Sequence, residues 1–546
     1  MNSPRPRVIK RRLGGAETEI GLRGFPKFCQ DDEILRLWRE LIAGTLPENR
    51  RERFSKSAHR ATLLNQGRCY KDSEWLEYAT PECISAKETT LQETAGLGII
   101  TKAIERFKAK HARFEKLSAH KCNRNTVIVD GPFSGNSHYI SSASLGSHGN
   151  YIALRNYSGG GKHDPPLGFG AFESVLETFF LSRSCIMGNG WFEILPRGGI
   201  RFLLSQRTDV TLARSSHTPA NGDKPLFNPS DEAHARADIW RRFHDVAEDS
   251  NMSEVQIYLK RGIMDILLAL AEAEDFFISP PSFGDERFAR GVVSGHTAIG
   301  RFWNADPTGR STVLVDGDKP WSALDFQFYL LEEAHRYFRE GRGPLTEERR
   351  EVLALWEETL GDISRFDLAK LSTYLDWAAV LYRAIIPYCE GAGIDSERLI
   401  LPGERGGHFY DAIAYDTPFE TKRGRAKILS HFLQTIIEYA NVDVGRGIYG
   451  TLLKRGLMRR LFSDEEKLAA ETMPPMETRA NYREALLGAV AEKRPSWAVN
   501  ETDWMLVKCD NGNIRYNHYM RNPYRARIPE ISEPFEQWFE RYNYFK

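Results

Sequence analysis

Four stretches of this chain place carboxylates, tyrosine, histidine and arginine at short spacing inside strand-like sequence. They are Glu17-Thr18-Glu19; Arg68-Cys69-Tyr70-Lys71-Asp72, followed by Glu77, Thr80 and Glu82; Gly146-Ser147-His148-Gly149-Asn150; and Asp231-Glu232-Ala233-His234. Side chains two apart on a strand share a face. Glu17 and Glu19 therefore form a pair, and Arg68, Tyr70 and Asp72 a row. Bare carboxylates at that spacing raise one another's pKa and cost stability unless a cation sits between them. Several hard oxygen donors suit Mg2+, which in phosphate chemistry usually arrives with nucleotide. Arginines such as Arg68 and Arg207 offer planar donors to phosphate oxygens. Each stretch alone also reads as a solvated strand edge or a structural ion pair, and spacing leaves open whether the four meet in space.

The elements that must position these residues fall into two groups. Val8–Leu22 and Asn65–Cys83 read as strands, and Val127–Asn156 as strands with a Gly/Ser-rich connection. Ile200–Leu212 reads as a strand pair. Asp31–Leu46 and Lys87–Phe114 read as helices by their apolar spacing. From residue 253 the 3.6-residue period dominates, over Ser253–Ala273, Trp321–Glu340, Thr346–Leu360, Leu368–Tyr388 and Ala426–Ala440. Strands and helices are partly segregated, which indicates α+β and not alternating βαβ. After Pro475 the composition returns to strand and loop, with Trp504–Val507 a strand. The division expected is a catalytic domain over 1–473 and a small C-terminal domain over 474–546.

Composition narrows the function. The chain has 546 residues with 41% hydrophobic and 11% aromatic residues, enough for a large core. Lys+Arg and Asp+Glu are 74 each, which argues against a dedicated nucleic-acid binder. No run reaches the ~18 apolar residues of a membrane span. Seven scattered cysteines without a C-x-x-C fit reduced thiols in a cytoplasmic protein. Gly159-Gly160-Gly161-Lys162 lacks the glycine spacing and following Ser/Thr of a phosphate loop, and no H-E-x-x-H or G-x-S-x-G occurs.

The blocks RRLGGAETEIG, RCYKDSEWLEYATPEC, GSHGNYI, LLSQRTD, DEAHARADIWRRFHDVAEDSNMSEVQIYLKRG, GRGIYGTLLKRGLMRRL and MPPMETRANYR resemble, in order, the signature blocks of the Pup ligase and depupylase family. The resemblance spans nearly the whole chain. It implies a glutamine synthetase-like fold: a curved antiparallel sheet forming a cradle, backed by helices, with a small C-terminal domain closing the nucleotide end. It implies ATP and Mg2+ as cofactors, and as partners a small disordered protein modifier and acceptor lysines. Residue by residue, Glu17, Glu19, Tyr70, Glu77 and His234 match metal-site positions. Arg68, Thr80 and Trp504 match positions that touch ATP, Arg207 and Arg479 are further candidates for the nucleotide, and Asp72 matches the catalytic aspartate.

The chemistry so implied fits the residue types. A carboxylate must become an acyl phosphate before an amine displaces its oxygen, and metal ions and arginines offset the charge of that transfer. A lysine near pKa 10.4 is neutral in only about one molecule in 10³ at pH 7, a deficit of roughly 4–5 kcal/mol. A carboxylate base such as Asp72 lowers that barrier. The same aspartate serves the depupylating members, so its presence does not choose a direction. Glu17 and Arg68 lie 51 positions apart, close to the ligase arrangement, and Thr80 also looks ligase-like. The Asp72–Glu77 spacing and Pro81 look more like the depupylases. Two departures stand out: Gly149 where the family has Glu in S-H-E-N-Y, and Ser230 where it has Arg in T-R-D-E-P-H. They leave open a phosphotransferase or a non-catalytic nucleotide binder.

Overall fold

The strand expected around the first acidic pair runs over Gly14–Arg23 (β1). The computed structural model describes residues 9–25, 32–48, 60–72, 75–122, 124–127, 140–154, 169–194, 200–208, 211, 213–215, 225–228, 235, 239–273, 304, 306–315, 319–394, 396, 422–493, 499–502, 507–509 and 523–524. Beyond β1, the principal strands are Arg60–Thr62 (β2), Arg68–Asp72 (β3), Trp75–Ala79 (β4), Ser118–His120 (β5), Ser147–Leu154 (β6), Ala213–Ser215 (β7), Pro225–Asn228 (β8) and Trp240–Glu248 (β9). Among the described residues these nine form one sheet in the order β7-β8-β9-β6-β1-β4-β3-β2, with β5 also on β1. Every pairing is antiparallel except the edge pair β7–β8.

The two faces divide by residue type. Ile20, Leu76, Tyr78 and Cys69 belong to the main hydrophobic core. Glu17, Glu19, Glu77 and Tyr70 alternate with them and take the other face. Two helices are central to the core: Ala86–Lys110 (α1) and Glu254–Glu272 (α2). Ser85 caps α1 by accepting from the Glu88 amide, and Ser253 caps α2 from the Gln256 amide. Gly96 lets α1 lie against β4, because a Cβ there would meet the Tyr78 ring at 2.2 Å. The Tyr78 hydroxyl donates to the Gln92 carbonyl at 3.0 Å and accepts from Asn65 Nδ2 at 3.0 Å, which ties helix, strand and turn together.

Most helical expectations hold as Asp32–Ala43, Ala323–Arg339, Glu347–Arg365 and Lys422–Tyr439. The helix expected over Leu368–Tyr388 is instead broken into Leu368–Leu371, Asp376–Val380, a π turn at Leu381–Ile385 and Ile386–Gly391. The break delivers the buried Asp376 carboxylate to the Met252 and Ser253 amides at 2.8 and 3.0 Å and to the Tyr439 hydroxyl, a tertiary demand that local periodicity does not encode. Ile200–Leu203 is a single strand paired with the upstream Trp191–Ile194, not with a following strand. At the C-terminus Val499–Thr502 pairs with Val507–Cys509, and Trp504 lies outside the described residues. No described helix is long and apolar enough to cross a membrane.

Candidate active site

Register brings the acidic stretches together. On β1, Glu19 lies opposite Glu77 of β4, and Glu77 lies opposite Tyr70 of β3. On the other side of β1, Glu17 lies opposite His148 of β6, and His244 of β9 lies opposite Asn150. Two groups of side chains that could each hold a metal ion result. Glu17, His148 and His244 form one, with ligand atoms within 4.8 Å of one another; Glu19, Asp72 and Glu77 form the other on the same criterion. The first offers one carboxylate and two imidazoles, the second three carboxylates.

The surroundings are arranged for charge. His148 Nδ1 and His244 Nε2 approach the same Glu17 oxygen to 3.7 and 3.6 Å. His244 is buried, and neither of its ring nitrogens has a hydrogen-bond partner among the described residues. Burial lowers the His244 pKa to about 4, which leaves the imidazole neutral and free to ligate. Burial raises the Glu17 carboxyl, but the two histidines outweigh it and hold it well below the usual carboxylate range. Glu77 goes the other way: burial, then the charges of Glu17 and Glu19, push it well above that range. The Tyr70 hydroxyl donates to Glu77 Oε1 at 2.6 Å, and burial with the Glu17 and Glu77 charges pushes the phenol up. Packed carboxylates with this imbalance, beside the buried His244 imidazole, fit divalent cations. The Gly146 amide donates to Glu19 Oε2 at 2.5 Å and fixes that carboxylate at the corner before β6.

An open cleft begins at Glu17 and runs over the Gly14-Gly15-Ala16 floor, past Thr80 and Asn150, to Arg241, Arg242 and Arg479. Gly15 shares the face of Glu17, so its lack of a side chain keeps this floor low. Thr80 Oγ1 accepts from the Ala16 amide at 2.9 Å, and the Thr80 amide donates back to the Ala16 carbonyl at 2.8 Å. Arg479 and Arg483 both bind Glu82 at the far wall. Burial raises the Glu82 carboxyl, but these two guanidiniums outweigh it and hold it well below the usual range.

The structure thus brings together Glu17, Glu19, Tyr70, Asp72 and Glu77, and sets Thr80 and Arg479 along the adjoining cavity. Arg68 is buried on the strand face it shares with Tyr70 and Asp72. Arg207 does not line this cavity among the described residues: it donates to the carbonyls of Leu145 at 2.6 Å and Val246 at 2.5 Å. His234 and Trp504 lie outside the described residues. His148 and His244 carry no assigned role in the sequence reading. The available signal is the alternation Arg242-x-His244, opposite Ile152 and Asn150 once the strands pair, which brings the His244 and His148 rings to 5.3 Å.

The Gly149 departure has a local explanation. A Cβ at 149 would meet Arg261 Nη1 at 2.7 Å and Glu248 Oε1 at 2.9 Å. The acid on this side of the sheet is carried by the neighbouring strand: Glu248 pairs with Arg261, and Asp245 with Arg183. Ser230 lies outside the described residues.

A mostly antiparallel sheet bearing its acids on one face, backed by helices, agrees with the glutamine synthetase-like fold that the resemblance implies. The structure of the Pup ligase PafA in complex with Pup superimposes with a TM-score of 0.71 at 23% identity, covering 98% of this chain and 93% of that one. PafA in complex with ADP gives 0.67 at 23% identity, covering 95% and 94%. The chain belongs to the Pup-ligase protein family, whose model matches residues 37–396 and 421–508. The Pup–protein ligase of Kineococcus radiotolerans is 28% identical over 528 residues, 95% of this chain and 97% of that one. That of Mycolicibacterium smegmatis is 27% identical over 531 residues, with the same coverage.

Proposed function

We propose that this protein is an ATP-dependent ligase that joins a C-terminal carboxylate of a small, disordered Pup-like modifier to protein lysines by an isopeptide bond. The observation that carries the reading is the convergence of two ligand clusters on β1 at the mouth of the glycine-floored cavity. Glu17, His148 and His244, and Glu19 and Glu77 with Tyr70, would hold divalent cations, Mg2+ among them, which leaves the Asp72 carboxylate beside the second group as a base. Such ions offset charge on a transferred phosphoryl group. Thr80 and the Gly14–Ala16 floor shape the nucleotide cavity, with Arg68 and Arg479 directing phosphate and base ends and Trp504 and His234 completing the set. Asp72, exposed at the end of β3, accepts the proton of the incoming lysine. Residues 474–546 close the nucleotide end. A reaction that consumes ATP, on a chain with five buried cysteines present as free thiols, belongs in the cytoplasm.

The test is mass spectrometry of the purified protein with Mg-ATP, a modifier ending in Gly-Gly-Glu, and a lysine-bearing acceptor. Conjugate and ADP formed only with donor and acceptor together, and lost in Asp72→Asn, support the ligase. Amide or isopeptide cleavage without ADP release assigns the protein to the depupylating branch instead. A stable phosphoprotein without conjugate would make it a phosphotransferase.

A further inference from the structure

Arg207 sits at a junction that the site depends on. Its side chain is 4% exposed. Nη1 donates to the Leu145 carbonyl and Nη2 to the Val246 carbonyl, so one planar group bridges the corner before β6 and the end of β9. The β6–β9 register shifts between Asp245 and Glu248, where the regular ladder cannot hold the strands together. The next residue after Leu145 is Gly146, whose amide holds Glu19 and whose carbonyl accepts from the Glu19 amide at 2.9 Å. A Cβ on Gly146 would meet Arg207 Nη1 at 2.7 Å and His148 Nε2 at 2.8 Å. Arg207, Gly146, His148 and Glu19 are therefore in one chain of contact that touches a ligand of each cluster. The Arg207 backbone is itself anchored, its amide donating to Ser205 Oγ and Asp249 Oδ1, both at 3.1 Å.

We propose that Arg207 is a positioning residue that staples the Leu145–Gly146 corner to β9 and thereby sets Glu19 and His148 for metal binding, without touching the nucleotide. This rests on the metal reading given under Proposed function. A planar fork is needed because a carbonyl at the corner and one on β9 are bonded at once; a lysine reaches one. Gly146 is required because the fork and the imidazole leave no room for a methyl group.

The test compares wild type, Arg207→Met, Arg207→Lys and Gly146→Ala, each checked for cooperative melting. Mn2+ binding is titrated by electron paramagnetic resonance, and ADP binding is measured by calorimetry in EDTA. Arg207→Met and Gly146→Ala are expected to weaken Mn2+ binding by about tenfold or more, the usual loss when an outer partner of a metal ligand is removed. Metal-free ADP affinity should stay within about twofold, and Arg207→Lys should not rescue Mn2+ binding. The proposal is overturned if Gly146→Ala binds Mn2+ like wild type, or if Arg207→Met loses metal-free ADP affinity, which would make Arg207 a phosphate contact. Should Arg207→Met fail to fold, Gly146→Ala decides. A wild-type protein that takes up no Mn2+ sinks the metal reading itself, and this inference with it.

Discussion

Arg261→Met is expected to be among the most damaging single changes outside the acidic clusters. Arg261 is 2% exposed and bonds both Glu248 and Glu93, with Ser147 Oγ at 3.1 Å and Tyr151 Oη at 3.3 Å. The remaining cations are each committed: Lys121 to Glu93 at 2.9 Å and Lys260 to Glu248 at 3.4 Å. Burial already lowers Lys260 to about 8, so it compensates poorly for a second lost charge. Methionine fills much of the arginine volume, so the cost is chiefly electrostatic. Removing one partner from a buried ionic group costs about 3–5 kcal/mol. At about 2 °C per kcal/mol, the lower end for sizeable domains, melting falls by about 6–10 °C. Differential scanning fluorimetry measures it directly. The double variant Arg261→Met/Glu248→Gln should recover part of the loss, because it removes the stranded carboxylate. A drop below about 2 °C in the single variant, or a double variant as unstable as the sum of its parts, would refute the reasoning.

Glu82→Gln leaves Arg479 and Arg483 without their shared carboxylate, and urea titration should show a loss of about 3–5 kcal/mol at pH 7. The folded Glu82 pKa lies below its ordinary 4.5, so its contribution is full above that value and fades as pH falls; the wild-type advantage should therefore be smaller at pH 3 than at pH 7. Gly15→Leu projects a side chain from the cavity floor on the Glu17 face. ADP affinity by calorimetry should drop by more than about tenfold, equivalent to about 1.4 kcal/mol, with the melting temperature little changed.

How much was legible before the coordinates depended on how local the cause was. Residues two apart on one strand share a face, so the Glu17/Glu19 pair and the Arg68–Tyr70–Asp72 row could be read from spacing alone. Their meeting could not, because strand order β6-β1-β4-β3 is set by pairings up to 137 positions apart, Gly14 with Tyr151, and Glu17 with His148 at 131. For the same reason His148 and His244 gained a role only when β6 and β9 were seen side by side. Arg207 shows another limit: its charge suggested phosphate, and only the fold adds that its guanidinium donates to two backbone carbonyls. The broken helix at 368–391 was hidden because the Asp376 carboxylate serves amides more than a hundred positions upstream.

Strand β1 carries one ligand from each cluster and is hydrogen-bonded along both edges, to β4 and to β6. A segment gripped on two sides exchanges its amides slowly and loses little freedom when a ligand arrives. Glu17 and Glu19 therefore stand aligned before anything binds, and little ordering cost is left for a ligand to meet there.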